Sequence, residues 1–343
     1  MTVAAAMAED ITGVLSMTAI LDTLAGNLMV PTILFFVLGL LAAFIRSDLS
    51  IPEGAAKFMS LYLLLAIGFK GGHSLAEHGV RSELLLAIAA GLLLSFLIPF
   101  LAFMLLRMMT RLDSTTAAAV AGHYGSISIV TFVAATSLLE LSGVAFDGYM
   151  VAVAASMEVP AILSALWIAA RHSGGHSGGQ DTTTVPAREL FANGSVLLLT
   201  GAFVIGAVTQ DKGMEMIAPF VVTPFVGILC LFLLDMGITA GRSLATNRHM
   251  LNAGLFSFGL VMPLAGAMLG WALGALIGLQ TGSLFLLMVL AASASYIAVP
   301  AAMRIALPKA EAGIYLTLSL GVTFPFNITV GLPLYLWLAH FGT

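Results

Sequence analysis

An otherwise apolar segment is interrupted by the stretch Gly122-His123-Tyr124-Gly125-Ser126-Ile127-Ser128-Ile129-Val130-Thr131. In a bilayer every backbone N–H and C=O group needs a partner inside the protein, so such a stretch must face other protein or a small cavity. A second interruption, Ser293-Ala294-Ser295-Tyr296, lies within 284–304, and its two serines follow Ser126 and Ser128 at one offset of 167 residues. Paired interruptions in two halves of a chain are typical of the binding site of a secondary transporter.

The composition is that of a membrane protein. Hydrophobic residues make up 60 % of the 343 residues and charged residues 9 %, against about a quarter charged in soluble proteins. The net charge of −4 is small and the basic residues are scattered, which argues against nucleic acid as a partner. Cys230 is the single cysteine, so disulfides and a cysteine metal site are excluded.

The apolar segments predict how the chain is divided. Roughly 20 apolar residues cross the hydrocarbon layer, and we predict ten such spans at about 28–45, 55–69, 83–107, 115–139, 147–171, 189–208, 215–236, 250–278, 284–304 and 310–340. A Gly/Ser-rich stretch separates five spans from five. The predicted divisions are an N-terminal lead-in (1–27), a first five-span repeat (28–171), a flexible linker (172–188) and a second five-span repeat (189–343).

The distribution of Lys and Arg predicts the orientation in the membrane. Ten of these residues follow odd-numbered spans, whereas three follow even-numbered spans, namely Lys70, Arg81 and Lys212. Basic residues concentrate in the cytoplasmic loops. We therefore expect the linker to be cytoplasmic and both termini to lie outside.

A second sequence match predicts an internal repeat. Gly68 and Gly72 recur as Gly237 and Gly241, each 169 residues later. An odd number of spans in each repeat turns the second copy upside down. The predicted fold is an all-α membrane protein whose ten transmembrane helices form two inverted five-helix repeats, with two broken helices crossing at the midplane.

Broken helices would bring two helix N-termini together. Their free N–H groups and dipoles favour a small anion. The alternative is that serine and glycine here only allow close helix packing. The predicted substrate-binding residues are Gly125, Ser126, Ile127, Ser128, Ser293, Ala294, Ser295 and Tyr296.

An acidic residue in mid-membrane is a functional candidate, because its burial is costly. Glu158 precedes a proline by two residues, as Thr323 does, and each proline frees a backbone carbonyl one turn earlier. Glu158 could balance a cation, carry a proton or bond to a neighbouring helix. Hydroxyl and carbonyl oxygens suit Na⁺, and the predicted sodium-binding residues are Ser128, Thr131, Glu158, Ser295 and Thr323.

Three further polar residues are secondary candidates. His123 fits either a proton shuttle or a structural histidine, and Asn327 lies near the second proline motif. Asp235 falls at the end of the predicted seventh span, where Arg242 or Lys70 would pair with it. The sequence has no Gly-x-x-x-x-Gly-Lys-Ser/Thr loop and no His-Glu-x-x-His motif. We therefore expect no enzyme, no cofactor and no metal beyond Na⁺, the coupling ion.

Three motifs resemble the sodium-dependent bicarbonate transporter family, both its cyanobacterial type and its broader bacterial branch. They are Gly125–Ser128 with Thr131, Met157-Glu158-Val159-Pro160, and Ala291–Pro300. The resemblance covers about 30–340 and implies a core of spans 3–5 and 8–10 that moves like an elevator against a gate of spans 1, 2, 6 and 7. It also implies Na⁺-coupled bicarbonate uptake by a homotrimer in the lipid of the bacterial inner membrane. Some members of the family bind a PII-like regulator at the cytoplasmic face, which adds such a protein to the expected partners.

The chain departs from the cyanobacterial form within these motifs. Ile129 and Val130 replace small residues, and Tyr296 replaces an aspartate. Glu158 would then supply the negative charge. Two alternatives stay open: a Na⁺- or H⁺-coupled symporter of another small carboxylate, and an anion sensor that does not transport.

Overall fold

The computed structural model describes residues 30–78, 82–172, 194–296 and 298–342, and within these ranges the chain forms helices and short connections with no β-strand. The all-α class predicted from the sequence is confirmed for this part of the chain. The predicted lead-in (1–27) and all but the first residue of the predicted linker (172–188) lie outside the described residues.

Eighteen helical segments follow one another in the described chain. Before the linker these are α1 Pro31–Phe44, α2 Glu53–His78, α3 Ser82–Met109, α4 Ser114–Gly125, α5 Ile129–Ser142, α6 Met150–Ser156 and α7 Glu158–His172. After it come α8 Gly194–Val221, α9 Phe225–Asn247, a 3-10 turn Arg248–Met250, α10 Ala253–Leu276, α11 Thr281–Ala292 and α12 Ala298–Ala306. The last five segments form one run that alternates between α- and π-helix: α13 Ala312–Leu316, Thr317–Thr323 (π), α14 Phe324–Phe326, Asn327–Gly331 (π) and α15 Leu332–Ala339.

The helices are those of a membrane protein. Seven helical segments of the described chain are long and apolar enough to cross a membrane, including Ser114–Ser142, which combines α4 and α5. Two shorter apolar helices are α1 and α11. Large apolar side chains such as Leu85, Val208 and Leu276 are exposed on the surface, as they are when lipid is the solvent. The chain is therefore a multi-pass membrane protein, while the number of ten spans stays a prediction.

The predicted sixth span (189–208) ends just before a break in α8, whereas the bounds of the predicted seventh span (215–236) are wrong. Two helical stretches meet at Gln210, whose backbone is not helical (φ 51°, ψ −143°), and the second stretch ends at Val221. The next helix, α9, begins at Phe225 and not at 215, and it ends at Asn247 and not at 236. Asp235 lies buried in the middle of α9 and not at the end of a span.

Glycines bring two pairs of helices into backbone contact. A Cβ atom on Gly72 of α2 would lie 1.8 Å from the carbonyl oxygen of Phe203 on α8. A Cβ atom on Gly237 of α9 would lie 2.2 Å from the carbonyl oxygen of Phe36 on α1. Small residues allow helices in membranes to approach this closely. Two helices of the first half therefore pair with two helices of the second half: α2 pairs with α8, and α1 pairs with α9.

The remaining helices surround the two interruptions found in the sequence. Helix α3 packs on α4 and α7, and α10 packs on α11. Nearly all residues of α4 and α11 are buried. The non-helical residues that follow each of these helices therefore lie inside the protein, where their backbone groups need protein partners.

Gly72→Ala should destabilise the contact between α2 and α8. The added methyl group would overlap the backbone of Phe203, and overpacking of this kind costs about 1–3 kcal/mol. The melting temperature of the detergent-solubilised protein measures the effect. Gly201→Ala on α8 is the matched control, because no atom lies within 4 Å of its Cβ position. Equal melting temperatures for the two variants would contradict this packing.

Candidate functional site

The two interruptions have similar backbone conformations. Helix α4 ends at Gly125 and α5 begins at Ile129, and the backbones of Ser126 and Ser128 are extended. Helix α11 ends at Ala292, where Ser293 is again extended, and α12 begins at Ala298. Each interruption thus places two serines between the C-terminus of one helix and the N-terminus of the next.

The two interruptions are hydrogen-bonded to each other. The backbone N–H of Ser128 donates to Ser293 Oγ at 2.9 Å, and Ser293 Oγ in turn donates to the carbonyl of Leu290 at 2.9 Å. In the opposite direction, the backbone N–H of Ser295 donates to the carbonyl of His123 at 2.7 Å. Each segment therefore supplies an acceptor for a backbone donor of the other: the Ser293 hydroxyl in one direction and the carbonyl of His123, in the last turn of α4, in the other.

Serine hydroxyls cap the helices that leave the interruptions. Ser128 Oγ accepts from the backbone N–H of Thr131 at 3.3 Å and from the Thr131 hydroxyl at 2.9 Å, which makes Ser128 the N-cap of α5. Ser295 Oγ accepts a long bond of 3.5 Å from the backbone N–H of Val299 in α12. The N-termini of α5 and α12, with their partial positive charge, thereby reach the same place.

A small cavity lies at these N-termini. It offers a volume of about 20 Å³, far below the roughly 300 Å³ at which pockets for drug-sized ligands begin. Its size suits an ion of a few atoms. The residues that line it come from both interruptions and from α2, α5, α7 and α9: Ser60, Leu63, Leu64, Ile127, Ser128, Ile129, Val130, Val133, Glu158, Phe232, Ser295 and Tyr296.

Glu158 is the acidic residue of the cavity. It is 6 % exposed, and within the described part of the chain no hydrogen bond or ion pair reaches its carboxylate. The preceding residue, Met157, has a helical backbone (φ −81°, ψ −6°) at the junction of α6 and α7, and its carbonyl accepts a hydrogen bond from the Ser95 hydroxyl. Helices α6 and α7 together form one apolar span, Met150–His172. An unpaired buried carboxylate calls for a cation.

Tyr296 forms one wall of the cavity. Its ring packs edge-on against Phe324 with the centroids 5.3 Å apart, and its hydroxyl points towards the sulfur of Met236 at 3.9 Å. The phenol places a bulky, uncharged group where the resemblance implied an aspartate. The charge of the cavity therefore comes from Glu158.

Nine of the fourteen predicted site residues lie outside the lining of the cavity, among them His123, Thr323, Asn327 and Ser126. His123 Nδ1 bonds to the Ala119 carbonyl at 2.7 Å, and its ring stacks on Tyr315. The Thr323 hydroxyl donates to the Gly259 carbonyl and accepts from Tyr124. Asn327 Nδ2 donates to the Ala292 carbonyl at the end of α11. Ser126 Oγ is buried and has no hydrogen-bond partner among the described residues.

The predicted ion pairs of Asp235 are not formed at contact distance among the described residues. Lys70 pairs with Glu140 on α5, and Arg242 donates to the carbonyl of Leu49 at 2.9 Å. Asp235 lies in the middle of α9, seven residues before Arg242, close enough for an electrostatic attraction but without a salt bridge. It is buried and does not line the cavity.

Sequence reasoning missed the wall that α2 and α9 contribute. Ser60, Leu63 and Leu64 line the cavity from α2, and Phe232 lines it from α9. Ser60, a lone hydroxyl in an apolar segment, was the available signal. Leu63, Leu64 and Phe232 carry no such signal, because leucine and phenylalanine also occur on the lipid-facing surfaces of such helices.

A lipid-exposed helical fold around a small buried cavity that contains one acidic residue is typical of a membrane transporter. Comparison with protein families matches residues 31–340, nearly the whole chain, and the chain belongs to the Na⁺-dependent bicarbonate transporter superfamily. The family resemblance of the sequence motifs is confirmed, and the protein is a transporter and not an enzyme. A search of curated proteins finds no match.

Ser293→Ala should destabilise the crossing of the two interruptions. The substitution leaves the buried N–H of Ser128 without its acceptor, which costs about 1–3 kcal/mol. Ser126→Ala is the matched control, because it removes a buried hydroxyl that has no described partner. Thermal unfolding in detergent should show a lower melting temperature for Ser293→Ala alone. A similar decrease in both variants would show that the hydrogen bond between the two stretches is unimportant.

Proposed function

We propose that this protein imports bicarbonate together with Na⁺. One observation carries the proposal: an ion-sized cavity combines the carboxylate of Glu158 with two serines at helix N-termini, Ser128 and Ser295. A carboxylate attracts a cation, whereas helix N-termini attract an anion. The cavity as it stands has room for about one or two water molecules, so both ions would bind next to each other only after it opens further, each reducing the cost of burying the other.

The Na⁺ ion would be held by Glu158 and by the hydroxyls of Ser128 and Ser295. These are hard oxygen ligands of the kind that transporters use for Na⁺. Thr131 would act by orienting Ser128, to which its hydroxyl donates. Thr323 stays a predicted ligand that the cavity lining does not include, so its direct role requires a rearrangement of its two hydrogen bonds.

The anion would bind at the starts of α5 and α12. Ile127 and Tyr296 line this part of the cavity together with the two serines. Gly125, Ser126, Ser293 and Ala294 lie outside the lining and would form the frame that holds the helix N-termini in place. The volume of about 20 Å³ favours an anion as small as bicarbonate over larger carboxylates.

Coupling to Na⁺ follows from the charge of the cargo. Bringing one negative charge into a cell with a negative interior costs about 2.3 kcal/mol for each 100 mV of membrane potential. One Na⁺ carried with one bicarbonate removes this cost, and the Na⁺ gradient then drives uptake. Direct coupling through adjacent sites needs no additional energy source.

An elevator-like alternating-access mechanism is consistent with the walls of the cavity. One wall comes from α2 and α9, which belong to the proposed gate of α1, α2, α8 and α9, and the rest comes from the proposed core. A shift of the core would carry Glu158 past Ser60 and Phe232 and would separate the ion pair of Lys70 and Glu140 that joins gate to core. The reciprocal helix pairs of the gate support the proposed inverted repeat of ten spans. The homotrimer and the outside position of both termini rest on the resemblance and the charge distribution.

The first test is uptake of labelled bicarbonate into proteoliposomes with and without an inward Na⁺ gradient. Wild-type protein should accumulate bicarbonate only with the gradient. Glu158→Gln should reduce Na⁺-dependent uptake about tenfold or more, since contacts to a charged group contribute about 1.5–3 kcal/mol. Asp235→Asn is the matched control, because Asp235 is a buried carboxylate outside the cavity. Full Na⁺ stimulation in Glu158→Gln would contradict the proposed Na⁺ site.

The size of the cavity separates bicarbonate from the second candidate cargo, a small organic carboxylate. Tyr296 in place of an acidic residue motivates this candidate, because it changes the chemistry of one wall. We expect unlabelled formate to compete with labelled bicarbonate and succinate to have no effect at the same concentration. Equal inhibition by both would favour a carboxylate symporter with a wider site.

A further inference from the structure

Three side chains that can bind a metal ion, those of His73, Glu77 and Asp211, lie close together near the C-terminal end of α2. His73 Nε2 lies 2.9 Å from Asp211 Oδ1 on α8, and His73 Nδ1 lies 3.8 Å from Glu77 Oε2, one turn along α2. One donor atom from each residue lies within 4.8 Å of the others. This cluster is separate from the cavity described above and shares no residue with it.

The backbone that carries His73 is held in place by a close contact between α2 and α8. Gly72, the residue before His73, meets the backbone of Phe203, and a Cβ atom on Gly206 would lie 2.2 Å from the carbonyl oxygen of Phe69. Backbone contact on this scale fixes α2 relative to α8. Consequently His73 stands on a rigid support, as a ligand of a metal site must, and Asp211, the residue that follows the break in α8 at Gln210, faces it.

The charges of the cluster are unbalanced. Two carboxylates, those of Glu77 and Asp211, face one imidazole, and in the described ranges no Lys or Arg forms an ion pair with either of them. The neighbouring cation Lys70 pairs with Glu140. With neutral His73 the cluster carries two negative charges, which a divalent cation would neutralise.

The geometry points to a site for a divalent transition-metal ion, held by His73, Glu77 and Asp211, that joins α2 to α8. A zinc-like ion binds imidazole nitrogen and carboxylate oxygen at about 2.0–2.2 Å. An imidazole ligand selects such an ion over Mg²⁺ and Ca²⁺, which prefer oxygen alone. The His73 side chain is only 14 % exposed and already oriented, while Glu77 and Asp211 are exposed and can close on the ion. Three protein ligands leave a position for water.

Metal binding would strengthen the gate. Helix α2 carries Ser60 and Leu63 of the cavity wall, so a metal bridge between α2 and α8 would stabilise that wall without entering the cavity. An ion that binds only the folded protein raises its stability by mass action. This inference does not depend on which anion the protein transports.

Titration calorimetry of the full-length, EDTA-treated protein in detergent with ZnCl₂ tests the site. We expect one Zn²⁺ per chain and a higher melting temperature with Zn²⁺. His73→Ala and Asp211→Asn should each weaken binding at least about tenfold, the loss expected when a ligand of a metal is removed. MgCl₂ should give no comparable binding.

His249→Ala and Glu215→Gln are the matched controls, because they remove an exposed histidine and an exposed acid outside the cluster. Both should bind Zn²⁺ as the wild type does. Asp211→Asn is nearly isosteric and exposed, so its melting temperature without metal should match that of the wild type. Absence of Zn²⁺ binding to the wild-type protein would overturn the inference, as would unchanged affinity in both His73→Ala and Asp211→Asn.

Discussion

Two backbone N–H groups, those of Ser128 and Ser295, determine how this protein can interrupt its helices inside a bilayer. Hydrocarbon offers no hydrogen-bond partners, so a non-helical stretch survives only if protein supplies them. Here each interruption supplies an acceptor for the other, Ser293 Oγ in one direction and the His123 carbonyl in the other. The two stretches are therefore stable only as a pair.

The crossing also explains how polar groups reach a small cavity that is lined mostly by apolar side chains. Once the backbone donors are satisfied, the serine hydroxyls and the first turns of α5 and α12 are left to face a common space. Glu158 enters that space from α7, where the backbone is helical at the preceding Met157. Two interruptions and one acidic side chain thus converge, and each places a polar group in a segment that is otherwise apolar.

The sequence predicted those residues of the cavity whose burial in a membrane is energetically costly. Ser128, Ser295 and Glu158 stand out because polar residues in apolar segments need a reason to be there. Ser60 and Phe232 do not stand out, since only the packing of α2 and α9 against the core makes their surfaces a wall of the cavity. The position of Asp235 was mispredicted for a related reason: the polar residues from Gln210 onwards mark the break that lies there, but the sequence does not show that a helical stretch to Val221 follows before α9 begins.

The pairing of helices across the two halves has a consequence for how the chain is assembled. Helix α2 packs against α8 and α9 packs against α1 through glycine contacts, so each of these four helices has its main partner in the other half of the sequence. The first two helices therefore cannot reach their final packing until α8 and α9 have been synthesised. Assembly of the two halves is in this respect like that of the subunits of an obligate dimer.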